Sequence, residues 1–226
     1  MNNNDVLLKV ENLCQYFGPT KAVDDVSFEI HKGEVFGLVG ESGCGKTTTG
    51  RSIIKLYDIT GGSVYFKGIR IAAGKKGYLD AIAKAKEEFK TEAAAHPEKA
   101  AELKQKMEQT VAQQQKLLKQ AISDQKNCDK EYSAQLTLAC KTKYEALLSR
   151  ATAEEKPKLQ AEYKNELRKA KNTKLVTQIQ MIFQDPIASL DPRMTVRDII
   201  AEGLVINGIT DKDYINEKVY EILEMV

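Results

Sequence analysis

The spacing of apolar residues divides the chain into three regions with different sequence patterns. In the first, which extends to about Ile71, short apolar runs alternate with turn residues, a pattern typical of β-strands. We predict strands at 7–10, 23–30 and 63–68. A further run at 35–39, Val-Phe-Gly-Leu-Val, has no polar face, which favours a strand covered on both sides in a parallel sheet.

The second region, from about Ala72 to Lys174, is rich in Ala, Lys, Glu, Gln and Leu, the strong helix formers. Its apolar residues recur at intervals of three and four. A stripe that narrow favours a two-helix, coiled-coil-like hairpin over a globular core. We predict the reversal at 126–129. Pro97 and Pro157 each lie 30 positions from Asn127, so such a hairpin would place the two helix breaks side by side.

The two prolines divide this predicted hairpin into two helix pairs. We expect 78–95 to pair with 158–172 at the base, and 98–125 to pair with 130–156 beyond the prolines. One interpretation of the insertion is a solvated arm tolerated at a loop. The alternative is an arm that docks onto a membrane subunit or a regulator.

The third region follows this insertion. Residues 179–183 predict another strand. Thr195 with Asp198 three positions later is typical of a helix N-terminus, which predicts an amphipathic helix through Leu204. A last helix is predicted over about 211–226, and because it meets the chain end without a cap we expect the chain to be the front of a longer protein.

Composition excludes some classes of protein. The chain has 226 residues, of which 42% are hydrophobic and 29% charged, enough to bury a core in one domain. A net charge of +2 gives no strong attraction to nucleic acid. No run approaches the roughly 18 apolar residues that span a bilayer, and Met1–Asp5 lacks the features of a signal peptide. We therefore expect a cytoplasmic protein that reaches a membrane only through a partner.

The strongest chemical signal is a glycine-rich loop, GESGCGKT, which matches the pattern G-x-x-x-x-G-K-[ST]. Glycines let the backbone curl so that several N–H groups point at one anion, and the following helix adds the positive end of its dipole. Lys46 would supply charge to the β- and γ-phosphates, and Thr47 would offer its hydroxyl to Mg²⁺. ATP and Mg²⁺ are the expected cofactors. The predicted binding residues here are Gly40, Glu41, Ser42, Gly43, Cys44, Gly45, Lys46, Thr47 and Thr48.

Cys44 has two interpretations. It lies at the N-terminal end of the predicted helix, where cysteines are often reactive, and alkylation of its thiol would then be blocked by MgATP. In the other interpretation only its backbone matters. The four cysteines form no C-x-x-C pair, which favours independent reduced thiols.

Two stretches together resemble the ATP-binding subunits of ABC transporters. The loop follows 22–28, AVDDVSF, which looks like the family's strand before the loop. Residues 181–196, MIFQDPIASLDPRMTV, are similar to the Q-loop of the F-type subunits of oligopeptide and dipeptide importers. Ile187 and Asp191 depart from the usual text of those subunits. The resemblance covers roughly 1–72 and 176–226.

The resemblance implies an α/β fold, the N-terminal part of a P-loop NTPase (ABC ATPase) domain, interrupted by the inserted antiparallel helical hairpin. The implied domains are a partial ATP-binding domain at 1–72 and 175–226, and the insertion at 73–174. In relatives the connection that the insertion replaces is much shorter.

The resemblance also implies roles for individual residues. Gln184 looks like the Q-loop glutamine, which would act with Lys46 in catalysis and reach Mg²⁺ and the attacking water. Phe17 looks like the aromatic that stacks on adenine, with Tyr16 as the runner-up and a core aromatic as the alternative. Val23, in the stretch that precedes the loop, is included among the cofactor-binding residues.

The function that the resemblance implies is coupling of ATP binding and hydrolysis to peptide import. The implied partners are membrane permeases, a second ATP-binding subunit and, indirectly, a solute-binding protein, with the chain peripheral on the inner face of the cell membrane and no nucleic acid bound. Solute choice would belong to other subunits.

The rest of the family pattern is missing from this sequence. There is no LSGGQ-like signature, no apolar run followed by Asp-Glu, and neither His31 nor His96 has the context of a switch histidine. We therefore expect the chain alone to be nearly inactive in hydrolysis. Two alternatives stay open: a soluble ABC-type ATPase that acts on nucleic acid or ribosomes, which the balanced charge disfavours, and a non-catalytic nucleotide-binding fragment.

Overall fold

The computed structural model describes residues 6–152, 154–185 and 190–225. It divides into two compact units, Met1–Gln180 and Met181–Val226. The elements in chain order are β1 (Val6–Phe17), β2 (Thr20–His31), α1 (Lys46–Ile53), β3 (Gly61–Phe66), β4 (Ile69–Ala73), α2 (Lys76–Ala95), α3 (Ala100–Arg150), α4 (Lys156–Asn172), α5 (Val196–Ile206) and α6 (Lys212–Glu224), with 3₁₀ turns at Pro97–Lys99 and Val176–Gln178.

The first unit contains a four-stranded antiparallel sheet in the order β2-β1-β3-β4. The strands predicted at 7–10 and 23–30 are confirmed within β1 and β2, and the strand predicted at 63–68 is confirmed up to Phe66, where β3 ends. Side chains alternate between the two faces of a strand, and the inward set forms the core of this unit. Its most buried members are Val10, Leu13, Val64, Ile69, Ile71 and Leu175.

The predicted strands at 35–39 and 179–183 are wrong, because both segments are irregular in the structure. Val35 and Val39 are 98% and 90% exposed. A strand needs a neighbour that accepts and donates its backbone hydrogen bonds. Among the described residues the sheet is antiparallel throughout, and none of its strands pairs with either segment. Apolar composition alone therefore predicted two strands that have no neighbouring strand to pair with among the described residues.

The predicted hairpin with its turn at 126–129 is also wrong. Helix α3 runs without interruption for 51 residues, through the predicted turn. The sequence there, Lys-Asn-Cys-Asp, contains neither glycine nor proline, and an asparagine costs a helix only a few tenths of a kcal/mol. Asn127 directs its side-chain amide back to the carbonyl oxygen of Ser123, at 2.9 Å, which satisfies the side chain within the helix.

The prolines do mark helix boundaries, as predicted, but at the two ends of α3. Pro97 begins the 3₁₀ turn before α3, and Pro157 lies in the first turn of α4, positions that need no backbone N–H. Helix α2 folds back on the first half of α3, and α4 folds back on the second half. The predicted pairs of 78–95 with 158–172 and of 98–125 with 130–156 are therefore wrong, since most of the second pair is one continuous helix.

The midpoint of α3 packs on the sheet and holds the insertion in place. Cys128 and Tyr132 join the hydrophobic core that includes Val64 and Ile71. Four polar contacts secure the same stretch: Arg70 Nη1 to Asp124 Oδ2 at 3.2 Å, Ala73 N to Gln125 Oε1 at 3.0 Å, Leu175 N to Asp129 Oδ1 at 2.8 Å, and Lys67 Nζ to Tyr132 OH at 3.1 Å. The insertion therefore shares a core with the strands, and the domain boundaries inferred from sequence stay a prediction.

The second unit contains α5 and α6. Thr195 caps α5, because its hydroxyl accepts from the amide of Asp198 at 3.2 Å and donates to that carboxylate at 2.7 Å, which confirms the predicted helix start. Asp211 caps α6, because its carboxylate accepts from the amides of Asp213 at 3.0 Å and Tyr214 at 3.2 Å. Ala201, Ile215 and Val219 form a small core between the two helices. In the described part of the chain, no helix combines the length and the apolar character needed to cross a membrane.

Candidate phosphate-binding site

The glycine-rich loop ends where α1 begins, at a glycine pressed against β2. Gly45 is the N-cap of α1 and has φ +92°, in the left-handed region. A Cβ added there would lie 2.2 Å from the carbonyl oxygen of Ala22 and 3.4 Å from Val23 Cγ2. Only glycine combines this backbone conformation with so close an approach. The strand therefore fixes the position at which the loop turns into the helix.

The residues before Gly45 form a tight curl. The amide of Cys44 donates to the carbonyl oxygen of Glu41 at 3.3 Å, and Gly43 between them has φ +80°. Gly40, at the start of the loop, also lies close to Cys44, because a Cβ added to Gly40 would lie 2.6 Å from Cys44 Sγ. Gly40 and Glu41 thus both lie against Cys44 around a single backbone turn.

Lys46 closes this curl. Its ammonium donates to the carbonyl oxygens of Gly40 at 2.7 Å and Glu41 at 2.6 Å. The first α-helical hydrogen bond of α1 is from the amide of Thr49 to the carbonyl oxygen of Gly45, at 2.8 Å. The amides of the preceding three residues therefore have no intrahelical acceptor. An ammonium group beside free amides at the positive end of a helix is suited to a polyphosphate.

Two threonines of α1 divide the remaining roles. Thr47 is exposed in the first turn of the helix, where its hydroxyl is accessible. Thr49 is buried, and its hydroxyl donates to the carbonyl oxygen of Gly45 at 3.0 Å, so it stabilises the N-terminal turn from inside. Sequence reasoning missed Thr49, although its spacing of four from Gly45 was a usable signal.

A magnesium ion fits the groups at this loop. Mg²⁺ usually retains several waters and takes few protein ligands together with substrate phosphates, so the exposed hydroxyl of Thr47 is an appropriate ligand. Within the described residues, no group of three or more His, Cys, Asp or Glu side chains is arranged to hold a metal ion.

Phe17 and Tyr16 lie at the end of β1 in different environments. Phe17 is 45% exposed, and its ring packs nearly perpendicular to that of Tyr57, with the centroids 5.3 Å apart. The Tyr16 hydroxyl donates to the carboxylate of Asp24, which raises the pKa of Tyr16 and lowers the pKa of Asp24. Phe17 is the more exposed of the two side chains, and its stacking on adenine stays a prediction.

Val23 and Gln184 are placed differently from the loop residues. Val23 is 5% exposed and lies beneath Gly45, where it supports the loop. Gln184 belongs to the second unit, in an exposed irregular segment. Residues 186–189 of the predicted Q-loop sequence, which include Ile187, lie outside the described residues. The roles of Val23 and Gln184 toward nucleotide and Mg²⁺ stay predictions.

Cys44 provides a direct test of whether this loop binds nucleotide. Of the four cysteines, Cys44 is exposed, Cys14 and Cys140 are half-buried and Cys128 is buried. The sulfur of Cys44 lies 3.6 Å from the ammonium of Lys46. We expect iodoacetamide to label Cys44 first, and saturating MgATP to slow this labelling severalfold while Cys140 reacts as before. Mass spectrometry of peptides would measure both rates, and equal rates at Cys44 with and without MgATP would contradict the expectation.

Comparisons with known proteins find relatives by sequence and by structure. A family model described as ABC transporter matches residues 23–141. The oligopeptide transport ATP-binding protein OppF of Bacillus subtilis is 34% identical over an alignment of 226 residues that covers 97% of this chain and 44% of that protein. The dipeptide transport ATP-binding protein DppF of Lactococcus lactis subsp. cremoris is 31% identical, with 97% and 43% covered. The chain thus spans less than half the length of these curated relatives.

A solved structure was also matched, over a smaller share of the chain. It is described as a nucleotide-free ATP-binding cassette from an ABC transporter. It is 33% identical, covers 34% of this chain and 31% of its own, and superposes with a TM-score of 0.29.

Proposed function

The chain belongs to the ABC transporter family, and on that premise we propose that it binds MgATP at Gly40–Thr47 as part of an ATP-binding subunit for peptide import. The observation that carries the proposal is the closed loop at the start of α1. The ammonium of Lys46 donates to the carbonyl oxygens of Gly40 and Glu41, at 2.7 and 2.6 Å. It lies next to backbone amides of α1 that have no intrahelical acceptor.

The residues of the loop divide the binding of the triphosphate. The free amides at the start of α1 donate to phosphate oxygens, and Lys46 places its charge beside the β- and γ-phosphates. Thr47 would hold Mg²⁺, which when bound neutralises charge on those phosphates. Gly45 keeps these groups in place through its contact with Ala22. Phe17 would stack on the adenine, and Gln184 would orient the attacking water.

The proposed partners follow from the relatives, which are named as transport ATP-binding proteins for oligopeptides and dipeptides. We propose that this chain acts with membrane permease subunits, a second ATP-binding subunit and, indirectly, a solute-binding protein, on the inner face of the cell membrane. For the chain alone we propose ATP binding with very weak hydrolysis, because its sequence lacks an Asp-Glu pair after an apolar run and an LSGGQ-like signature.

Replacing Lys46 with alanine tests the proposed nucleotide site. Loss of one charge-assisted contact to phosphate is expected to weaken MgATP binding by about ten- to a hundredfold. Isothermal titration calorimetry of the full chain would measure the dissociation constants, and circular dichroism would confirm that the variant is folded. Lys32→Ala, which removes the same charge from an exposed turn, is the matched control. Equal affinities of wild type and Lys46→Ala would overturn the proposal.

A further inference from the structure

A cavity of about 630 Å³ lies where the middle of α3 meets the β4–α2 junction and the segment that follows α1. Small-molecule sites in proteins commonly have volumes of about 300–1,000 Å³. The cavity is separate from the phosphate loop, whose residues do not line it. None of the functions considered above assigns it a role.

Three lysines from three different segments line this cavity: Lys55, Lys75 and Lys126. Within the described part of the chain, no ion pair or hydrogen bond engages any of the three ammonium groups. Two carboxylates share the lining. Asp58 is exposed, and Asp129 already accepts a hydrogen bond from the amide of Leu175 at 2.8 Å. The charge balance therefore favours an anion.

Lys55 adopts a backbone conformation that glycine usually supplies. Its φ is +64°, and it occupies the left-handed position that ends α1. The amide of Leu56 donates to the carbonyl oxygen of Arg51 at 2.9 Å, and that of Lys55 donates to Ser52 at 3.2 Å, the pattern of a Schellman motif. A residue with a Cβ is strained in this conformation, whereas glycine is not. Such strain is often found at functional positions, and the side chain retained here lines the cavity.

The remaining wall is apolar. Ile59 and Cys128 are buried, at 7% and 3% exposure, and form the interior side of the lining. Ile122 lies at the open side, 41% exposed. A ligand with an apolar body would cover these side chains, and removing their apolar surface from water favours binding.

We propose that this cavity binds a small organic anion with an apolar body, a carboxylate or a phosphate ester, whose charged end lies among Lys55, Lys75 and Lys126. The ammonium groups recognise the anionic oxygens, and Ile59, Ile122 and Cys128 contact the apolar body. The site does not depend on nucleotide binding at Gly40–Thr47.

A tryptophan reporter tests the proposal locally. The chain contains no tryptophan, so Ile122→Trp creates a single fluorophore at the edge of the cavity. Hexyl phosphate and hexanoate are expected to change its fluorescence saturably, whereas hexylamine, with the same apolar body and the opposite charge, is not. In the reporter background, Lys55→Gly and Lys126→Gln are each expected to weaken hexyl phosphate binding by about tenfold or more.

Matched variants separate this site from folding and from the phosphate loop. Lys55→Gly relieves backbone strain, so its unfolding midpoint is expected to equal or exceed that of the reporter alone although its hexyl phosphate binding is weakened. Lys130→Gln, one turn beyond Lys126 on α3 and outside the lining, is expected to bind as the reporter alone does. Adding Lys46→Ala, which is expected to weaken MgATP binding, is expected to leave hexyl phosphate binding at the cavity as it is in the reporter alone. Equal binding of hexylamine, or of inorganic phosphate, would overturn the proposal, as would hexyl phosphate binding unaffected by Lys55→Gly.

Discussion

Replacing Asn127 with proline is expected to lower the free energy of unfolding by about 3 kcal/mol or more. Asn127 lies in the middle of α3, which is continuous from Ala100 to Arg150. Proline there removes the backbone hydrogen bond to residue 123, and its ring collides with that carbonyl. The resulting kink would also displace Cys128 and Tyr132, which the same helix places in the core of the sheet.

Urea denaturation followed by far-ultraviolet circular dichroism would measure this loss of stability. Asn127→Ala is the matched control. It removes the side-chain hydrogen bond to Ser123 but keeps the helix, and its stability is expected to stay within about 0.5 kcal/mol of wild type. A proline variant as stable as Asn127→Ala would favour a chain reversal at 126–129, where proline is readily accommodated.

Replacing Gly45 with alanine is expected to abolish measurable MgATP binding, a loss of about a hundredfold or more, and to lower the free energy of unfolding by about 2 kcal/mol. The left-handed conformation costs a residue with a Cβ about 1–2 kcal/mol. The added carbon would also lie 2.2 Å from a backbone oxygen, that of Ala22. Because neither β2 nor the loop can relieve this collision by a side-chain rotation, the start of α1 has to move, and with it the amides and Lys46.

Gly43→Ala isolates the close approach from the backbone strain. Gly43 also has a positive φ, +80°, but a Cβ there would meet nothing within 4 Å. Its loss of affinity is expected to be at least tenfold smaller than that of Gly45→Ala. Calorimetric titration with MgATP and thermal unfolding of both variants would test this order. If Gly43→Ala were as damaging as Gly45→Ala, strain alone would explain the loss and the contact with Ala22 would have no special role.

Several parts of the protein were predictable from sequence because their causes are local. The phosphate loop is specified by glycines that permit its turns and by the lysine that follows them, all within eight consecutive residues. The start of α5 is specified in the same way, because Thr195 and Asp198 satisfy each other across one helical turn. The strands within β1, β2 and β3 were predictable from the short apolar runs and turn residues in their own sequence.

Other parts depended on contacts between distant residues. Residues 35–39 have the composition of a buried strand, but a strand forms only beside a partner, and composition does not provide one. The symmetric spacing of Pro97 and Pro157 about Asn127 suits a hairpin as well as one long helix with a helix folded back at each end. The second arrangement was decided by the burial of Cys128 and Tyr132 against the sheet.

What the sequence determined by itself about this protein is therefore the chemistry of the phosphate loop and the local signals that start helices and strands. Tertiary structure alone decided that Gly45 of the phosphate loop has no room for a side chain, because only the fold brings Ala22 against it. It also decided that the insertion forms one long helix with a shorter helix folded back at each end, and that Lys55, Lys75 and Lys126 line one cavity. The physical reason is the range of the interactions: backbone preferences and capping act over a few residues, whereas burial depends on which distant segments meet.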